Sequence, residues 1–207
     1  MSGAVAAATA EASRIKARLS ALGAVTDLGF EAGGEAVETI KTLAAELEAL
    51  NPTPAPARTD ALLRGRWRLL YSSFGLQRQA TLGRLSFNVL PKSAPITVER
   101  LFQEVDPETG LYDNVVEYSD ETGAPGVSLT IGMFSPADDR RMDVVFTHAQ
   151  ATGHARAPID NAKIPPLWSE VTYLDQDFRL NRGSYGSLYV LALDARAPAR
   201  WTRDALA

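Results

Sequence analysis

The sequence has no cysteine. That excludes disulfides, thiolate nucleophiles and cysteine-based metal sites. Histidine is scarce, with only His148 and His154. A zinc or histidine-base site wants ligands at matched spacing, and this pair runs from an expected strand end into a loop. No metal site and no cofactor are expected. No run of 18 apolar residues occurs, so no helix is expected to cross a membrane. Strong positive charge is also missing, with a formal net charge of -4. A nucleic-acid partner wants a basic face that replaces counterions, and a polybasic grip on anionic lipid wants the same. Neither is expected, although Arg64, Arg66 and Arg68 lie close together. Met1–Ala10 lacks the basic start and long apolar centre of a secretory signal, and Glu11 adds an acid. These residues are expected to be the frayed start of a helix.

What is present is an ordinary globular composition, 45% hydrophobic and 22% charged over 207 residues. A chain of that length buries a core without covalent staples. Ile15, Leu19 and Leu22 form one apolar stripe and predict a helix over 10–22, ended by Gly23. Val37, Ile40, Leu43, Ala44, Leu47 and Leu50 predict a second helix over 34–50. Asn51-Pro52-Thr53-Pro54-Ala55-Pro56 then forbids helix and predicts a stiff, extended linker. Thr59 or Asp60 is placed to cap a short helical turn through Leu63.

From Gly65 the pattern changes to period two. Trp67, Leu69 and Tyr71 are expected on one face; Ile96, Val98, Arg100 and Phe102 on another, opposite Leu101, Gln103 and Val105. Asp106-Pro107-Glu108-Thr109-Gly110 predicts a turn, with Leu111–Ser119 returning as a strand. Val127, Leu129, Ile131 and Met133 alternate next, then Met142, Val144, Phe146 and His148. Residues 149–167 read as an irregular loop, followed by strands near Tyr173–Asn181 and Ser187–Leu193. Seven or eight short strands joined by hairpin-length turns predict a mainly β fold with N-terminal helices, an up-and-down antiparallel barrel or sandwich. A barrel of roughly eight strands can hold one small ligand.

Candidate chemistry is thin. Ser72, Ser73 and Ser184 lack a nucleophile elbow, and Gly183-Ser184-Tyr185-Gly186 lacks the strand-to-helix setting of a phosphate loop. The densest polar stretch is Thr172–Gly183. On one strand, Asp175 and Asp177 would share a side, as would Arg179 and Asn181. Paired carboxylates can do acid/base work. The simpler reading is that Asp175 or Asp177 pairs with Arg179 or Arg182 and fixes the end of the barrel. No catalytic residue is assigned.

Three segments carry a resemblance. Gly65-x-Trp67-x-Leu69-Leu70-Tyr71-Ser72-Ser73 resembles the first-strand motif of the plastid lipid-associated proteins, or fibrillins. Asp113-Asn114-Val115-Val116-Glu117 resembles their middle hairpin. Trp168 to Leu191, with Thr172-Tyr173-Leu174-Asp175-x-Asp177-Phe178-Arg179-Leu180-x-Arg182-Gly183, resembles their C-terminal signature. The resemblance implies a lipocalin-like barrel, binding of lipids, carotenoids or prenylquinones, and peripheral attachment to thylakoids or lipid globules (plastoglobules). It implies a plastid location in a eukaryote. The missing transit peptide leaves a bacterial cytoplasm or cytoplasmic membrane face as the other expectation. In such barrels a first-strand Trp crosses the closed end with an Arg stacked on it, which makes Trp67 with Arg179 or Arg182 a structural plug.

The division that follows is a helical segment over 1–50, a linker over 51–57, a barrel over 58–194 and a tail over 195–207. Inward-facing candidates for ligand contact are Leu69, Tyr71, Phe102, Val116, Leu129, Ile131, Phe146 and Leu191. The loops Leu82–Leu90 and Ile164–Trp168 are expected to form an entrance or a membrane-touching rim. The expected function is a carrier for an apolar isoprenoid, quinone, carotenoid or acyl ligand at a lipid surface, not an enzyme. The alternative is a structural coat with a filled barrel and no stoichiometric ligand.

Overall fold

The computed structural model describes residues 2–31, 33–75, 77–196 and 202–206. Ten strands form one antiparallel sheet: β1 (Gly65–Ser72), β2 (Gln79–Thr81), β3 (Pro95–Asp106), β4 (Leu111–Asp120), β5 (Pro125–Pro136), β6 (Arg141–Ala151), β7 (His154–Pro158), β8 (Leu167–Leu174), β9 (Phe178–Gly183) and β10 (Leu188–Ala195). The order is β1-β10-β9-β8-β6-β5-β4-β3-β2, with β7 beside β6. The sheet closes into a ring because Gly65–Arg68 also pair with Val105–Phe102 of β3. Past Arg68 the two strands part, leaving β1 without a β-partner on that side among the described residues.

Bulges decide what faces the interior, because one extra residue reverses every side chain after it. Trp67 and Leu69 join the interior core, but a register shift between Leu69 and Tyr71 turns Leu70 and Tyr71 outward. The shared face expected for Trp67, Leu69 and Tyr71 therefore ends at Leu69. A second shift between Val98 and Arg100 puts Ile96, Val98, Leu101 and Val105 together inside and leaves Phe102 outside. Along β5 the alternation is unbroken, with Leu129 and Ile131 on the outer wall and Phe134 inside, and a third shift, between Ile131 and Gly132, places its extra residue, Thr147, in β6. In the facing strand the same irregularity lets Ala149 and Ala151, not His148, continue the interior face of Phe146.

The strand expected over Tyr173–Asn181 is two strands. The Asp175 carboxylate accepts from the backbone N–H groups of Asp177 (3.0 Å) and Phe178 (2.9 Å), closing a hairpin turn between β8 and β9. The stretch expected to be an irregular loop holds the end of β6, all of β7 and the start of β8.

Two long helices pack on the outer wall of the ring. α1 (Ser2–Val25) starts earlier than the 10–22 stripe predicts and runs past Gly23. A Cβ at Gly23 would collide with the Leu70 carbonyl, so this glycine serves close approach to β1 rather than ending the helix. α2 (Glu35–Ala49) buries Ile40, Leu43, Ala44 and Leu47 and carries Glu35 and Glu38 where the helix dipole favours acids. With Ile15 and Leu19 these residues form a core against Tyr71, Tyr173, Phe178, Leu180, Leu188 and Val190. The proline segment is extended but strapped down. Asn51 Oδ1 accepts from Leu174 N (3.1 Å), Thr53 Oγ1 donates to the Leu174 carbonyl (2.6 Å), and Ala57 N donates to the Asp139 carbonyl (2.9 Å). A short helix, α3 (Asp60–Leu63), follows and closes that end.

Of the expected tail, residues 197–201 and 207 lie outside the described residues, as does Met1. The described part includes α4 (Thr202–Ala205), with Leu206 beside it on Phe102, Val115, Leu129 and Ile131. Beneath it Asp113 and Glu104 are both 0% exposed. Arg203 grips Asp113 at 2.6 and 3.0 Å, while Thr202 and Arg66 hold Glu104 at 2.7 and 2.8 Å. Burial raises the Asp113 carboxyl, only partly offset by Arg203 and the Gly132 N–H. Removing one partner of a buried pair strands the other charge, at a cost of about 3–5 kcal/mol. Arg203→Ala is therefore expected to lower stability by about that much in urea unfolding at pH 7. Because the folded carboxyl titrates above its unfolded value, its contribution is present at low pH and is lost as pH rises through the folded value. The variant's deficit should shrink towards acid; a deficit independent of pH would contradict this account.

Candidate lipid-facing site

The ring has two unlike ends. One carries the turns 107–110, 137–140 and 175–177 together with α3. There Trp67 is 0% exposed, and its indole N–H donates to the Leu63 carbonyl at 2.9 Å. The Arg179 guanidinium lies 4.9 Å from the Trp67 ring, and that of Arg196 5.4 Å from it. Arg179, also 0% exposed, donates to Gln103 Oε1 at 2.5 Å. Its Nε and Nη1 have no hydrogen-bond partner among the described residues. Burial pushes this guanidinium down to about 10, which leaves it charged at neutral pH. The indole face supplies the electrostatic compensation.

Arg182 lies on the opposite face of β9. It forms a bidentate pair with Glu48 of α2 at 2.9 and 3.1 Å, and Glu48 also accepts from Thr172 at 2.8 Å. Asp175 and Asp177 pair not with an arginine but with Lys16 of α1, at 2.9 and 2.5 Å. Burial pushes the Asp175 carboxyl up, but the Tyr173 hydroxyl, Lys16 and the Asp177 N–H outweigh it and hold it below the usual range. A general acid needs the reverse shift. These polar residues of the C-terminal signature thus clamp helices to the ring.

The eight residues expected to face a ligand do not converge. Leu69, Val116, Phe146 and Leu191 lie in the interior core. Tyr71 lies under the helices, and Phe102, Leu129 and Ile131 lie under α4. Bulges part Tyr71 from Leu69 and Phe102 from Val98, while Leu129 and Ile131 simply belong to the outer phase of β5, and alternation alone reveals neither the bulges nor the phase.

The loops expected to form an entrance or a membrane-touching rim close the other end. Leu82 and Leu90 are buried in the interior core, with Leu85, Val89, Ile164 and Leu167 packed against it. The Thr130 hydroxyl donates to the Leu85 carbonyl at 3.0 Å, and Phe87 lies 5.6 Å from Phe146, ring to ring. What stays exposed at this end is a crown of apolar side chains. Val25 closes α1, Phe74 follows β1, Phe87 tips the loop after β2, and Tyr185 lies between β9 and β10. They are four of the six large hydrophobic residues exposed among the described residues. Segment 73–94 holds Arg78, Arg84 and Lys92 and no acid, although Asp120, Glu121 and Asp160 occupy neighbouring turns. Periodicity misses this crown because three of its members sit in turns and Val25 is the last residue of a helix; single aromatics inside loops are the available signal.

A cavity of about 440 Å³ lies outside the ring, between α2, the turn at 29–30 and β1. A second, of about 290 Å³, lies at the Trp67 end among Asp60, Arg64, Asp106 and Glu108. Among the described residues no helix is long and apolar enough to cross a membrane.

The PAP_fibrillin family model matches residues 13–192. The chain belongs to that family. Among its PAP_fibrillin relatives is the probable plastid-lipid-associated protein 3, chloroplastic, of Arabidopsis thaliana, 27% identical across 81% of this chain and 54% of its own length. Another is the chromoplast-specific carotenoid-associated protein of Cucumis sativus, 26% identical across 80% of this chain and 63% of its own length. The chain thus spans between half and two thirds of these PAP_fibrillin relatives. No solved structure matches it.

Proposed function

We propose that the protein is a lipid-associated protein that docks on a membrane or lipid-globule surface and there holds or sequesters an apolar ligand. The ring is read as a lipocalin-like barrel, and the ligand as an isoprenoid, quinone, carotenoid or acyl lipid. The plastid-lipid and carotenoid names of its relatives support this class, and their chloroplast and chromoplast labels support a plastid surface. The observation that carries the docking is the crown of Val25, Phe74, Phe87 and Tyr185 at one end. Amphipathic rings favour the headgroup boundary of a bilayer, and clustered exposed apolar residues mark interaction sites. No covalent chemistry is assigned.

The coat reading has its own support. The interior core runs without a break from Leu63 and Trp67 to Leu82 and Leu90. A ring filled in this way docks on lipid without an interior ligand.

The absence of cysteine makes the orientation directly testable. Tyr185→Cys and Glu108→Cys each receive one polarity-sensitive fluorophore, and vesicles of phosphatidylcholine and phosphatidylglycerol are added. A blue shift is expected at 185 and none at 108, which lies at the opposite end. Equal shifts, or a shift at 108 alone, would overturn the assignment.

A further inference from the structure

The cavity beside β1 has features of a built site. Beyond Arg68, β1 has no strand partner on its β3 side among the described residues, and the segment after α1 fills the opening. Asp27, Leu28 and Gly29 are consecutive left-handed residues, with φ of 49°, 59° and 94°. Such a conformation is unfavourable for a non-glycine residue and persists only where contacts impose it. Here it sends Leu28 and Phe30 against the interior core. Arg78 bolts the turn down by pairing with Asp27, donating to the Val98 carbonyl and covering the Phe30 ring at 5.0 Å.

The cavity lies directly against this plug. Phe30 and Val37 supply apolar walls, with Tyr71 behind them and Lys41 and Gln77 at the rim. Its volume of about 440 Å³ falls within the range of about 300–1,000 Å³ usual for small-molecule sites. Tyr71 lines the cavity and is only 1% exposed, and burial raises its hydroxyl above the ordinary phenol range, so it stays an O–H donor. Nearby charges balance: Lys41 is paired with Glu38 at 2.6 Å, and Arg78 with Asp27. An anionic head would have to compete with Glu38 for Lys41. A neutral oxygen can take the Tyr71 hydroxyl without that competition.

We propose that this groove binds a single-chain apolar molecule with an uncharged oxygen head, a carbonyl or a hydroxyl. The Tyr71 O–H donates to that oxygen, and the chain lies along Val37 and Phe30. The proposal deepens the lipid-binding reading and rests on it for the ligand class. It moves the ligand from the ring interior to the seam between α2 and β1.

The test uses 2-dodecanone, 1-dodecanol and dodecanoate as probes of equal chain length, with methyl NMR on the full chain and no vesicles. The ketone and the alcohol are expected to shift the Val37 methyls and leave those of Leu69, Val116 and Leu191 in place. Dodecanoate should bind at least fivefold more weakly. Tyr71→Phe should weaken the ketone about fivefold, and Val37→Trp, which fills the groove, should abolish binding with the fold intact. Shifts confined to the interior methyls, tighter binding of dodecanoate, or no binding of any probe would each overturn the proposal. Vesicle docking is measured separately, so its failure is distinguishable from failure of the groove.

Discussion

Trp67→Ala is expected to lower the unfolding free energy by about 3–5 kcal/mol, the usual cost of deleting a fully buried Trp. Trp67 is 0% exposed, and Arg179 and Arg196 both lie over its ring. Truncation removes the ring that compensates the Arg179 charge, while Nε and Nη1 of Arg179 already have no hydrogen-bond partner among the described residues. The loss should therefore sit at the upper end of that range. Trp67→Phe keeps an aromatic face but drops the N–H bond to Leu63, and should cost about half as much. Urea denaturation of the two variants measures both. A stable Trp67→Phe variant that no longer associates with lipid would show that this pair serves binding rather than architecture.

The contrast between the two ends explains what the sequence made legible. Helices and hairpins followed from period and turn residues: α2 at Glu35–Ala49 falls within the expected 34–50, and α3 at Asp60–Leu63 within the expected cap. The Trp67–Arg179 stack was one of two pairings open to the motif, and the fold settles it by turning Arg182 towards Glu48. The facing of side chains was not legible. Leu69 and Tyr71, two residues apart, part company at one bulge, and a bulge has no fixed sequence mark when no glycine forms it. Asp175 reads as a strand residue because its strand-like neighbours hide the Asx turn it forms. The partners Lys16 and Glu48 lie 159 and 134 residues from Asp175 and Arg182, and no local pattern links such positions. Within the expected tail, α4 carries no periodicity because it has only four helical residues.

The second large effect concerns the crown. Phe74 and Phe87 are 49% and 39% exposed, and each has further apolar area to bury on docking. At roughly 1.5 kcal/mol for each ring withdrawn from water, the pair accounts for about a hundredfold in partition. Phe74→Asp with Phe87→Asp removes that gain and adds two charges that resist leaving water. Phe87→Asp gives up the ring contact with Phe146 and should lower the unfolding temperature somewhat, but neither change touches Trp67, Arg179 or the α1 and α2 clamps, so thermal unfolding should still show a folded ring. As a control, Met133→Asp with Val145→Asp alters the other exposed apolar pair, on the outer wall of β5 and β6. The direct measurement is flotation of the three proteins with vesicles of phosphatidylcholine and phosphatidylglycerol. Docking through the crown predicts that the wild type and the wall variant float while the crown variant stays at the bottom of the gradient. Flotation of the crown variant at the wild-type level, or failure of the wild type to float at all, would contradict it.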